Sequence, residues 1–119
     1  MRSTFRQSDV VLLLKDISGL VEPLPAEVRE RHIQNGIHYC EMLPLEYEPS
    51  AKYMVAYQSA LKNYAKTTAA AIASLAEKIY SLKGDSLVIV SLARAGTPIG
   101  VLIKRYLEKK YCIQLTHYS

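Results

Sequence analysis

Leu87-Val88-Ile89-Val90-Ser91-Leu92-Ala93-Arg94-Ala95-Gly96-Thr97-Pro98-Ile99-Gly100 is the stretch that decides the fold. A short apolar, β-branched run reads as a fully buried strand over 87–91. A small Gly-containing loop with one arginine follows, and a helix pattern begins at Thr97-Pro98, where proline suits the first turn. Strand, loop and helix N-terminus in that order can cradle an anion, because free N–H groups and the helix dipole point at one spot. Arg94 and the N–H groups of Ala95, Gly96 and Thr97, with Ala93 completing the loop, are the candidate phosphate or pyrophosphate ligands. Gly96 would permit positive φ or close backbone approach.

Working outward, 97–110 reads as a helix with Ile99, Leu102, Ile103, Tyr106 and Leu107 facing inward. Cys112 to Thr116 reads as the next strand. Strand, helix and strand at this spacing make a parallel βαβ unit. The chain ends at His117-Tyr118-Ser119 as that second strand forms, which reads as the front part of a larger protein. An unpaired second strand is an aggregation hazard. The expectation is a homodimer, a swapped C-terminal segment, or a partner supplying the missing strands from the C-terminal part of the same protein.

Upstream, Ser50 is a plausible N-cap for the longest element. From there to Lys83 there is neither Gly nor Pro, and Gly84 suits the C-terminal cap. Tyr53, Tyr57, Leu61, Tyr64, Ile72, Leu75, Ile79 and Leu82 recur at helical spacing. A helix about 50 Å long follows. Its tyrosines read as core or helix–helix packing rather than as a base-stacking platform, which would interleave them with Lys or Arg. Pro25 to Gln34 reads as a shorter helix closed by Asn35-Gly36. Val10 to Lys15 fits a short buried strand or one apolar turn. Between the helices, 37–49 holds two prolines and no sustained period, the pattern of a structured loop. The architecture is α/β. Residues 1–84 are mainly helical and 85–119 form the βαβ unit of one domain, without internal repeats.

The 119 residues are half hydrophobic and 22% charged, a globular balance that argues against disorder. A formal charge of +4 is mild and scattered. Only Lys104, Arg105, Lys109 and Lys110 cluster, at a helix end where they complement the dipole without a ligand. No segment resembles a signal peptide or reaches the roughly 18 to 20 apolar residues of a membrane span. A cytoplasmic location with free thiols at Cys40 and Cys112 is expected. Cys112, opening an apolar strand, reads as a small core residue. The cysteines and histidines lack the close spacing of a zinc site.

Cys40 stands beside His38 and Glu41, which allows a thiolate–imidazolium pair. His32 and His117 are alternative bases. Two residues apart in an extended segment, Cys40 and His38 face the same way only roughly. No oxyanion loop or helix start is visible beside Cys40, whose bland reading is a half-buried thiol.

The loop 93–98 after a buried strand resembles the pyrophosphate loop of type I phosphoribosyltransferases. More closely, Val90 to Gly100, with Ser8-Asp9-Val10 to Lys15 and His38-Tyr39-Cys40-Glu41-Met42 through Pro49-Ser50, resembles a bacterial family of tellurium-resistance stress operons. The family is described as phosphoribosyltransferase-like, with a Pelota-like RNA-binding domain further on, and also carries the designation cysteine protease, StiP. The resemblance implies a type I phosphoribosyltransferase-like parallel sheet, here truncated. It also implies phosphoribosyl transfer to or from a base or nucleoside, using phosphoribosyl pyrophosphate with Mg²⁺, and RNA contact only through the later domain. Such transferases need two adjacent acidic residues in a Gly/Thr-rich loop. None follows here, and Asp85 precedes the loop, so this chain would carry the pyrophosphate half-site and be inactive alone. Two other expectations stand beside it: a cysteine peptidase using Cys40 with His38, and a non-catalytic module whose long helix is the contact surface.

Overall fold

The computed structural model describes residues 3–17, 19–93 and 95–119. Among the described residues the strands and α-helices follow in the order β1 (Pro23–Leu24), α1 (Ala26–Gln34), β2 (Leu43–Pro44), α2 (Ala51–Lys83), β3 (Val88–Val90), α3 (Gly96–Tyr111) and β4 (Thr116–Tyr118). Contacts divide the chain into two units, 1–14 with 58–119 and 15–57.

The larger unit is built on a parallel pair. Val88, Ile89 and Val90 of β3 register with Thr116, His117 and Tyr118 of β4, and α3 connects them. The outer edge of β4, expected to be open, is covered by the N-terminal segment. Val11 bridges to Tyr118 in parallel, Val11 N–H donates to His117 O at 2.8 Å, and Leu13 N–H donates to Ser119 O at 2.7 Å. The residues at 10–13 are therefore extended. β4 lies in the middle of a three-stranded parallel arrangement, a long-range pairing that no local pattern announces.

The core lies between α2, α3 and this sheet. Ile72 and Ala76 of α2 meet Ile103 and Leu107 of α3 and Leu115 before β4. Tyr80 stacks on Tyr111 with centroids 3.9 Å apart. The Tyr111 hydroxyl and Lys110 Nζ both donate to Glu77 Oε2, at 2.7 and 2.9 Å. These bonds, Lys110 first, hold the Glu77 carboxyl below its ordinary range, and the hydrogen bond to Glu77 raises Tyr111 in turn.

Several expectations about facing are corrected. The strand at 87–91 is not fully buried: β3 exposes Val88 and Val90 and half-buries Ile89. The buried face of α3 is Thr97, Gly100, Val101, Ile103, Lys104 and Leu107, whereas Ile99 and Leu102 are exposed. The face is rotated because Lys104 and Gly100 serve the sheet side. Lys104 Nζ donates to Ser8 O at 2.6 Å, and Gly100 lets α3 close on Ser91 and His117. A Cβ at Gly100 would fall 2.5 Å from His117 Nε2, which no ordinary contact allows. Arg105 grips buried Asp9 through two bonds, Nε–Oδ1 at 2.7 Å and Nη2–Oδ2 at 2.5 Å. The basic cluster is thus largely fastened within this unit. Cys112 is exposed, not core, because it ends α3 in the left-handed region with φ 54°.

α2 starts as its cap predicts, with Tyr53 N–H donating to Ser50 Oγ at 3.2 Å, and it ends at Gly84, whose φ of +64° reverses the chain. Only Ile72 and Ala76 are buried along it. Tyr53, Tyr57 and Tyr64 are exposed, so among the described residues neither unit by itself buries that stripe as expected.

In the smaller unit, β1 and β2 pair in parallel, Pro23 with Leu43 and Leu24 with Pro44. α1 carries no buried residue, and Gly36 with φ +88° follows its C-cap Asn35. Among the described residues, no helix is long and apolar enough to cross a membrane.

Candidate nucleophile–imidazole site

Cys40 lies in a one-turn 3₁₀ helix, Tyr39–Glu41, that the sequence did not announce. Its formation has a local cause. His38 takes an extended conformation (φ −71°, ψ 140°) and caps the turn reciprocally with Glu41. Cys40 N–H donates to His38 Nδ1 at 3.3 Å, and His38 N–H donates to Glu41 Oε1 at 3.3 Å. This is a capping box with histidine in the place usually held by Ser or Thr. The same geometry brings His38 Nδ1 within 2.8 Å of Cys40 Sγ. A turn rather than an extended strand therefore joins the two side chains. The expectation that they face together only roughly is corrected for that reason.

The roles of the ring nitrogens follow from the donors around them. A backbone N–H can only donate, so neutral His38 presents Nδ1 as an acceptor and carries its proton on Nε2. The Cys40 S–H then has an acceptor already aimed at it. The His38 ring also leans on Tyr39, with centroids 4.6 Å apart and planes at 37°, which limits its rotation. Both residues of the pair are exposed, so the thiol is not the half-buried one expected.

The alternative bases are placed elsewhere. His32 lies on α1. His117 belongs to the larger unit, with its ring nitrogens bonded to Asp9 O and Ser91 Oγ. Among the described residues no imidazole contacts Cys112, and no cluster of three or more His, Cys, Asp or Glu could hold a metal.

Of the predicted anion loop, Arg94 lies outside the described residues. Ala93 is in an exposed turn and Ala95 is the N-cap of α3, without a side-chain cap bond. Gly96 opens α3, and its N–H donates to Leu92 O at 3.1 Å. It does not adopt the positive φ expected as one possibility, and ordinary contact with Ser91 surrounds it. Thr97 is buried with its hydroxyl 2.7 Å from Ser119 Oγ. The close backbone approach expected of Gly96 occurs instead at Gly100. Periodicity hid this, because Gly100 sits inside a helix pattern.

Comparison with known proteins identifies the family. A family model described as tellurite-like stress resistance cysteine protease StiP matches residues 3–119. A curated relative from Acinetobacter baylyi (strain ATCC 33305 / BD413 / ADP1), named cysteine protease StiP, is 32% identical over 101 residues, which is 84% of this chain and 26% of the relative. The chain thus spans about a quarter of that relative's length. No solved structure matches. The expectation of phosphoribosyl transfer is corrected by these findings, since both matches name a cysteine protease. It rests on the description of the family as phosphoribosyltransferase-like and on a strand–loop–helix pattern that many α/β chains share.

Proposed function

This chain belongs to the StiP family, and on that premise we propose that it carries the thiol and the base of a cysteine peptidase of stress resistance. Cys40 is the nucleophile and His38 the proton acceptor. The single observation that carries this reading is the 2.8 Å approach of His38 Nδ1 to Cys40 Sγ. Of the two cysteines, both exposed, only Cys40 has an imidazole in contact among the described residues.

The chemistry follows the general logic of an activated thiol. The Cys40 proton moves to His38 Nδ1, and Sγ attacks the peptide carbonyl carbon. The C–N bond breaks as the imidazolium returns its proton to the leaving amine, and a thioester remains on Cys40. Water, deprotonated by the same nitrogen, then releases the acid and restores the thiol. When His38 becomes an imidazolium, its Nδ1 can no longer accept the Cys40 N–H. That donor is freed beside the sulfur as negative charge develops there.

The test is cleavage of denatured, fluorescently labelled casein. The wild-type protein is expected to release peptides. Cys40→Ala is expected to abolish release, and Cys112→Ala to leave it unchanged. Casein cleavage that survives in Cys40→Ala would overturn the assignment.

A further inference from the structure

The larger unit holds a second nucleophile-and-base arrangement that the peptidase reading does not use. Ser91 follows β3 directly, and its Oγ lies 2.8 Å from His117 Nε2. His117 Nδ1 lies 3.0 Å from the carbonyl oxygen of Asp9. We propose that Ser91 and His117 form a serine-type nucleophile–base pair that accepts an acyl or phosphonyl group from small, activated esters.

The tautomer follows from the partners. The Asp9 carbonyl can only accept, so Nδ1 carries the proton of the neutral ring and Nε2 is the free lone pair. Ser91 O–H must therefore donate to Nε2. That is the state in which a histidine can take the proton of a hydroxyl, and the carbonyl behind it fixes the ring as the third member of such sets does.

Every member is held by the fold. Ser91 N–H donates to Tyr118 O at 2.8 Å, and His117 O accepts Val11 N–H at 2.8 Å, so both backbones belong to the parallel sheet. Asp9 is anchored by its two bonds to Arg105, which steadies the carbonyl that orients His117. Gly100 is bare because a Cβ there would invade Ser91 and the His117 ring. His117 is 1% exposed, whereas Ser91 is only half-buried. The base is thus screened from water, while the serine that it serves is only partly covered.

Position adds an electrostatic component. Ser91 stands at the carboxyl end of a parallel strand, where ligands of open α/β sheets bind. The first residue of α3 packs on it: the Cβ position of Gly96 lies 3.6 Å from Ser91 Cβ. α3 runs for 16 residues, and its N-cap Ala95 makes no side-chain cap bond. The positive end of its dipole therefore lies beside Ser91, on the side where a bound ester would develop negative charge on its oxygen.

A fluorophosphonate ester makes the step explicit. Ser91 Oγ forms a bond to phosphorus, the P–F bond breaks, and fluoride leaves with the electron pair. The Ser91 proton goes to His117 Nε2. A carboxylic ester would react in the same sense, its alcohol leaving with the proton from Nε2.

The experiment is labelling of the full chain with a fluorophosphonate ester, followed by intact-mass measurement and peptide mapping. One adduct on Ser91 is expected, absent in Ser91→Ala. In His117→Gln the labelling rate is expected to fall by about a hundredfold, the usual worth of a positioned base. An unlabelled Ser91 in folded wild-type protein overturns the proposal, as does equal labelling of a folded His117→Gln. Should that variant not fold, ¹⁵N spectra of histidine-labelled wild-type protein decide the matter. A proton on His117 Nδ1, together with Ser91 labelling, upholds the pair, and a proton on Nε2 overturns it.

Discussion

At the scale of single residues, the candidate chemistry turns on a local hydrogen-bond exchange. His38 and Cys40 stand two apart in the sequence, so their proximity is legible there. Their alignment is not, because it depends on His38 acting as a cap, a role this residue type seldom signals. The place of Cys112 is hidden for a similar reason. Its apolar neighbours suggested a strand, whereas it takes the left-handed position that closes α3 (φ 54°). Cysteine pays a steric cost there that glycine avoids. Cys112→Gly is accordingly expected to stabilise the fold by about 1 kcal/mol, read as a shift of the urea midpoint at unchanged slope.

At the scale of elements, helices were more legible than faces. The absence of Gly and Pro from Ser50 to Lys83 marks a helix directly, and the observed α2 begins just after the Ser50 cap and ends at Lys83. Which side of a helix is covered depends on contacts far away in the chain, and here the periodic reading failed. Tyr64 is 66% exposed while Leu107 is fully buried. Leu107→Ala is therefore expected to cost about 2–5 kcal/mol, and Tyr64→Ala to stay within about 0.5 kcal/mol, in the same denaturation series.

The pairing of α3 with the N-terminal segment also predicts a pH dependence. The Arg105 guanidinium holds Asp9 below the usual carboxylate range, chiefly through its hydrogen bonds. A carboxyl depressed in the folded state binds its proton less readily there than in the unfolded chain. Its contribution is thus present above the unfolded value and is lost as pH falls through the folded one. Glu77, depressed by Lys110, acts in the same direction. Urea midpoints should hold near neutrality and decline in acid, and Asp9→Asn should decline less steeply.

At the scale of the whole molecule, the two units differ in how much they bury. Among the described residues, seven of the eight buried hydrophobic ones fall within 1–14 and 58–119, and Met42 is the one in 15–57. Hydrogen exchange should follow that division. The amides of α3 and β4 should be the slowest, and those of α1 should exchange faster by orders of magnitude. The coverage of β4 by the N-terminal segment was the part of the architecture least visible beforehand. A pairing that joins Val11 to Tyr118 leaves no periodic trace, and the apolar run at 10–14 is compatible with a strand or a turn.

The central claim, that His38 activates Cys40, is tested most directly by the rate of iodoacetamide alkylation at each cysteine, followed by peptide mass spectrometry at neutral pH. Both thiols are exposed, so access alone would make them react alike. The account predicts that Cys40 reacts at least about tenfold faster than Cys112, and that His38→Ala removes the difference without changing Cys112. Equal rates in the wild-type protein, or a Cys40 rate indifferent to His38→Ala, would contradict it.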